Sequence, residues 1–307
     1  VTFSLVARSA DGRLHGVAVA SRFLAAGALV PGAEAEVGAV ASQAHANLSY
    51  RPNGLALLRA GVPAAEVIAQ LVAADPGRDD RQLGVVGATG PGATWTGPRC
   101  GGWAGGLAGD GWAAQGNILA GPQVVEAVRD GWLAGESLPF PKRLLAALRA
   151  GEQAGGDRRG RQSAALLVVQ RGGGYAGTGD NLVDLRVDDH LDPVGELHRL
   201  LDIHTMLFGK PDPATLLELA GPLADEVAGL LAAAGHPVGG AGLTAAVHPV
   251  GAGAPATVAG PALEEALASW AGWENLEERL MPGHIDPIVL VHLRRTVAAV
   301  PAPRTGD

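Results

Sequence analysis

Thr2 heads an alternating run, TFSLVAR, and a threonine hydroxyl becomes a nucleophile once a base takes its proton. When threonine is the first residue its own α-amine is that base, with a pKa near ~7.7–8.0 that leaves an appreciable fraction neutral at physiological pH. The sequence opens with Val1, and a peptide nitrogen at Thr2 cannot accept a proton. We read Val1 as the literal translation of a GUG start codon, whose initiator residue is removed ahead of a small residue. The plainer reading makes Thr2 a β-favouring residue on a first strand.

Other polar groups sit where elements change. VASQAHANLSY places Gln43, His45 and Asn47 at a strand-to-helix junction, where backbone donors suit a developing oxyanion and where Asn47 could simply cap the helix. QGNILAG puts Gln115 and Asn117 before a helix, as oxyanion or substrate-amide ligands or as turn formers. GDRRGRQS gathers Asp157, Arg158, Arg159, Arg161, Gln162 and Ser163: a carboxylate or phosphate clamp, or a basic loop pairing with DLRVDDHLD. Asp188, Asp189, His190 and Asp192 have oxygen-rich metal-ligand character, but Asp192 before Pro193 reads as a helix N-cap, and no metal or cofactor is expected. Cys100 has no cysteine partner, so packing is its default.

The elements that must position these groups start with a hairpin, because Asp11-Gly12 lies between two alternating runs. Val37–Gln43 reads as a third strand, residues 49–77 as two helices broken near Gly61-Val62-Pro63, and Arg81–Ala88 and Ala93–Thr96 as strands. Trp112–Gly116 reads as a strand, then come two helices, two more strands and a proline-started helix to about Leu207. Strand runs separated by helix pairs predict an α+β layered domain. FGKPDPA, residues 208–214, reads as a linker, residues 215–300 as a mainly helical domain with Trp270 and Trp273 exposed, and 301–307 as a disordered tail.

Composition narrows the partners. At 307 residues with 47% apolar content the chain can bury a sizeable core, and its net charge of −8 argues against nucleic acid or an anionic membrane. One cysteine excludes a disulfide framework. Val227–Leu263 carries no Asp, Glu, Lys or Arg, yet Pro237, Pro249, Pro255 and Pro261 break it into pieces too short to span a bilayer. With no basic-then-apolar leader in the first ten residues, a cytoplasmic location is expected.

The stretches TFSLVARS, GVAVASRF, VGAVASQAHANLSY, AAQGNILAGPQVVEAV, GGDRRGRQSAALLVV and DLRVDDHLDPVGELHRLLDIH together resemble the DUF1028 family, placed among the N-terminal-nucleophile (Ntn) hydrolases, over about residues 2–207. WAGWENLEERL and HIDPIVLVHLRR resemble a small module labelled peptidoglycan-binding. The resemblance implies a four-layer αββα sandwich and amidohydrolase chemistry at the first mature residue. It also implies an oxyanion N–H from the Gln43–Asn47 junction and support of the amine from the Asp157–Ser163 loop. Proteasome-like relatives tune their threonine with a lysine; the sequence has no lysine before Lys142, so Arg22 or hydrogen bonds must do that work.

The expectation is therefore an Ntn-type amidohydrolase in which Thr2 attacks a small amide or peptide-like bond. The alternative is an inactive Ntn-fold binding protein whose C-terminal module binds a glycan or peptidoglycan fragment or mediates oligomerisation. Expected partners are a small-molecule amide, a cell-wall fragment and a second copy of the chain.

Overall fold

The computed structural model describes residues 2–239 and 260–299; the expected tail over 301–307 and the Pro249 and Pro255 breaks lie outside the described residues. Two compact units divide the chain after Asp202. Among the described residues no helix is long and apolar enough to cross a membrane.

The first unit runs β1 (Thr2–Arg8), β2 (His15–Ser21), α1 (Ala26–Leu29), β3 (Pro31–Glu34), β4 (Gly38–Ala44), α2 (Tyr50–Arg59), α3 (Ala64–Ala73), β5 (Arg81–Gly87), β6 (Ala93–Thr96), β7 (Trp103–Gly109), β8 (Trp112–Leu119), α4 (Gln123–Ala134), α5 (Phe140–Gln153), β9 (Ser163–Val169), β10 (Asn181–Val187) and α6 (Pro193–Phe208). The unit boundary falls within α6. The strands form a six-stranded sheet, β10-β9-β2-β1-β8-β7, and a four-stranded sheet, β3-β4-β5-β6, with antiparallel neighbours throughout. The expected hairpin is β1–β2, with Gly12 at φ +74° in its turn. Sequence reasoning did not mark α1, β3 or β7.

Alternation in β1 sorts its side chains onto two faces. Phe3, Leu5 and Ala7 pack with Val124, Val128, Leu144, Leu148 and Leu197, so α4, α5 and α6 cover that face. Val6 points the other way, with Val17 and Val19, onto Ala39, Ala41 and Val86 of the second sheet. The far face of that sheet, through Val40, Leu83 and Val85, packs on Tyr50 and Leu58 of α2 and Val67 and Leu71 of α3. The unit is therefore mixed α and β, with an apolar layer between its sheets that gives way to polar side chains at the Thr2 end.

The second unit holds β11 (Leu217–Glu218), α7 (Gly221–Ala233), α8 (Pro261–Trp273), β12 (His284–Ile285) and α9 (Pro287–Ala299). Its core gathers Val227, Leu231, Leu267, Trp270, Ile285 and Leu293. Trp270, expected at the surface, is 2% exposed, because the α8 stripe that carries Leu263 and Leu267 faces α7 and α9; Trp273 is 80% exposed. Arg279 and Asp286 form a buried pair at 2.6 Å, and the guanidinium also donates to the Met206 and Thr205 carbonyls, which gives the buried charge several hydrogen-bond partners.

Candidate functional site

Register lines the predicted nucleophile up with a row of polar side chains. Thr2 lies opposite Asn117 on β8 and Ser21 on β2, and Ser21 lies opposite Ser163 on β9. Directly opposed residues share a face, so Asn117, Thr2, Ser21 and Ser163 stand side by side across four strands. Thr2 Oγ1 and Ser21 Oγ are 3.0 Å apart, and both residues are buried. The next row inward begins Gln115–Ser4, on the same face.

A network of amides ties this end of the layer to the second sheet. Ser4 donates to Gln43 Oε1 at 2.6 Å and accepts from Gln115 Nε2 at 2.7 Å. Gln43 Nε2 reaches Gln82 Oε1 at 2.8 Å and the Thr2 carbonyl at 3.4 Å. Asn117 Nδ2 also donates to Gln82 Oε1, at 2.8 Å, while Gln82 Nε2 donates to the Gly116 carbonyl and Thr96 Oγ1. Buried polar groups cost about 1–3 kcal/mol each when left unpaired, so this network fixes the register of both sheets around Thr2. The side-chain amides expected to meet substrate are thus held within the protein, Gln115 Nε2 by Ser4 and Asn117 Nδ2 by Gln82, while Gln115 Oε1 is buried without a partner among the described residues. Gln82, Ser4, Ser21 and Thr96 were not singled out from the sequence. The available signal was polar residues at i, i+2 (2 and 4, 115 and 117) within otherwise apolar strands.

The Asp157–Ser163 loop closes the same end. Asp157, itself buried, accepts from the Arg22 N–H at 2.7 Å and the Arg159 N–H at 2.8 Å. Arg159 also reaches the Arg22 carbonyl, and Arg22 donates to Gln162 Oε1. Ser163 Oγ bridges the Phe23 carbonyl and the Ala26 N–H. Arg161 pairs with Glu152 at 3.3 Å, and burial raises the Glu152 carboxyl against the pull of Arg161 and Arg149. Arg158 is exposed, with its N–H on the Ile118 carbonyl. A cavity of about 210 Å³ opens here, lined by Phe3, Ser21, Glu152, Asp157 and Arg161 among others.

Not every predicted residue joins this cluster. His45 is exposed, its N–H held by the Asp80 carbonyl and its own carbonyl by Arg81. Asn47 accepts from the Ser49 N–H beside the start of α2 and donates to Asp75. Asp75 also receives Tyr50, Arg81 and the Gly77 N–H, and these bonds hold its carboxyl well below the usual carboxylate range despite burial. Asp192 takes the Gly195 N–H at 3.4 Å and pairs with Arg149.

The backbone is strained around the same cluster. Ala44 follows Gln43 at φ +64°, Ile118 follows Asn117 at φ +49°, and Ala25, in the turn between β2 and α1, has φ +51°. A left-handed β-branched residue is a genuine outlier, and such strain persists where surrounding structure over-determines it, characteristically at functional sites.

Residues 2–197 match the family model described as a family of unknown function (DUF1028), and residues 207–293 match one described as "Putative peptidoglycan binding domain". A crystal structure of protein SPO2555 from Silicibacter pomeroyi, itself matched to the DUF1028 model, superposes with a TM-score of 0.60 at 30% identity, covering 73% of this chain and 92% of that one. The search of curated proteins found no match. A family match over most of the chain, joined to a superposable relative of the same family, makes the chain a member of the DUF1028 family.

Proposed function

We propose that the first unit is an N-terminal-nucleophile amidohydrolase with Thr2 as its nucleophile, and that its paired sheets and flanking helices are an αββα sandwich of the Ntn type. One observation carries the reading: a buried hydroxyl pair, Thr2 Oγ1 and Ser21 Oγ at 3.0 Å, at the head of β1 and inside the polar row. In a chain whose first residue is Thr2, the α-amine takes the hydroxyl proton and Oγ1 attacks the amide carbonyl carbon. The C–N bond breaks as the amine returns the proton to the leaving nitrogen, and water then hydrolyses the threonyl ester. Asn117, adjacent in register, is the side-chain donor best placed for the oxyanion, by exchanging Gln82 for substrate. The substrate class is a small amide or peptide-like compound.

The test is turnover of a panel of aminoacyl and short peptidyl p-nitroanilides. Protein beginning at Thr2 should release nitroaniline, and protein retaining Val1 should not. Equal turnover by both forms overturns the assignment.

A second reading concerns residues 207–293, favoured by their match to the peptidoglycan-binding model: this unit holds a cell-wall fragment. Sedimentation of the protein with purified wall sacculi tests it; protein that stays in the supernatant contradicts it.

A further inference from the structure

In the second unit, α8 carries Glu265, Ser269 and Trp273 at spacings of four residues, which places them on one helical face. That face borders a cleft of about 470 Å³, whose other wall is the turn Gly235–Gly239 after α7. His236 enters from this turn, with Nδ1 3.1 Å from Ser269 Oγ and its ring 6.5 Å from the Trp273 indole at 65°. Pro237, Ala262 and Ala266 supply apolar wall. Trp273 is 80% exposed, while Trp270, one turn earlier, is in the core. Trp273 thus stands at the rim of the cleft, edge-on to His236, with most of its indole open to solvent.

We propose that this cleft binds a neutral N-acetylated amino sugar, with Trp273 stacked on the sugar's apolar face. The inference rests on the second reading above and adds to it a place and a choice between glycan and peptide. An indole face matches the C–H side of a pyranose, while Ser269, His236 and Glu265 offer the mix of donors and acceptors that ring hydroxyls and an acetamide need. The apolar wall suits the acetamide methyl. Among the described lining residues the cleft presents a carboxylate, Glu265, and neither Lys nor Arg, so a phosphate-bearing polymer or a carboxylate-rich stem peptide meets repulsion.

The experiment is calorimetric titration of the full chain with triacetylchitotriose and, separately, with L-alanyl-D-isoglutamine, in wild type, Trp273→Ala and His236→Ala. The trisaccharide should bind wild type, the dipeptide should not, and each substitution should weaken the trisaccharide at least tenfold. Trp273 is exposed, so Trp273→Ala should keep the wild-type circular dichroism and melting temperature. Trisaccharide binding unchanged in both variants overturns the site and leaves the second reading standing. Binding of the dipeptide alone overturns the choice of sugar. If wild type sediments with sacculi but ignores both probes, the inference fails and the second reading survives; if it neither sediments nor binds, both fail.

Discussion

The space between the two sheets of the first unit has two unlike ends. Around Val6, Val17, Val19, Ala39, Ala41 and Val86 it is an ordinary apolar core. At the Thr2 end the same strands bury Thr2, Ser4, Ser21, Gln43, Gln82, Gln115 and Asn117. The apolar end holds the sheets together without demanding one geometry. The polar end contributes less net stability per residue but restricts the arrangement, because its amides are hydrogen-bonded within one network, save Gln115 Oε1, which is buried without a partner among the described residues. The left-handed Ala44 and Ile118 are both at the polar end, so it is there that the fold gives up stability for position.

The largest effect should come from breaking the hub. Gln82→Leu keeps the volume but leaves Gln43 Nε2 and Asn117 Nδ2 without their shared acceptor and the Gly116 carbonyl without its donor. We expect a loss of about 4 kcal/mol in denaturant unfolding. A loss no greater than that of Val19→Ala at the apolar end would mean the network does not define the site.

Beyond the apolar stretch, at the opposite edge, lies His15, fully buried, with neither ring nitrogen hydrogen-bonded among the described residues. It faces Arg8 on β1, whose guanidinium donates to the Gly87 carbonyl of β5 and pairs with Asp110, and Val169 on β9. Burial, reinforced by Arg8, pushes the His15 pKa down to about 4. Below about pH 6.5 the unfolded chain therefore binds a proton that the folded chain refuses, and stability falls until folded His15 titrates. That window accounts for about 3 kcal/mol. His15→Leu should remove this component, and a wild-type minus variant difference that stays flat from pH 7 to 4 would contradict it.

A smaller effect tests how closely the polar end is packed. The Gln115 amide lies against Gly84, and a Cβ there would collide with it. Gly84→Ala should cost about 1–3 kcal/mol, and Gln115→Ala in the same chain should recover part of it. No recovery would place the strain elsewhere.

Parts of this were legible in the sequence because they are local. Asp11-Gly12 announces the β1–β2 hairpin, and the spacing of Val67, Leu71 and Val72 announces α3. Gln115 and Asn117 drew attention as amides just ahead of a helix; that both belong to β8 and point to one face follows from the pairing with β1. The β7 strand, WAGGLAG, escaped notice because its glycines carry no strand propensity; pairing along β8 holds it. The hub role of Gln82 depends on partners at 43, 96, 116 and 117, which only the paired sheets bring together. Trp270 and Trp273 looked alike in sequence, and which one faces the core depends on where α7 and α9 pack.

The central claim, that the polar end exists to present the Thr2 hydroxyl, is tested most directly by a threonine-directed β-lactone followed by peptide-mapped mass spectrometry. In protein whose first residue is Thr2, we predict one acyl adduct on Thr2 Oγ1, formed faster as pH rises through the range where an α-amine loses its proton. Thr2→Ala should abolish the adduct while the protein stays cooperatively folded, and Thr2→Ser should retain part of it. An adduct on any other residue, or one on Thr2 that forms equally well with Val1 still attached, would contradict the account.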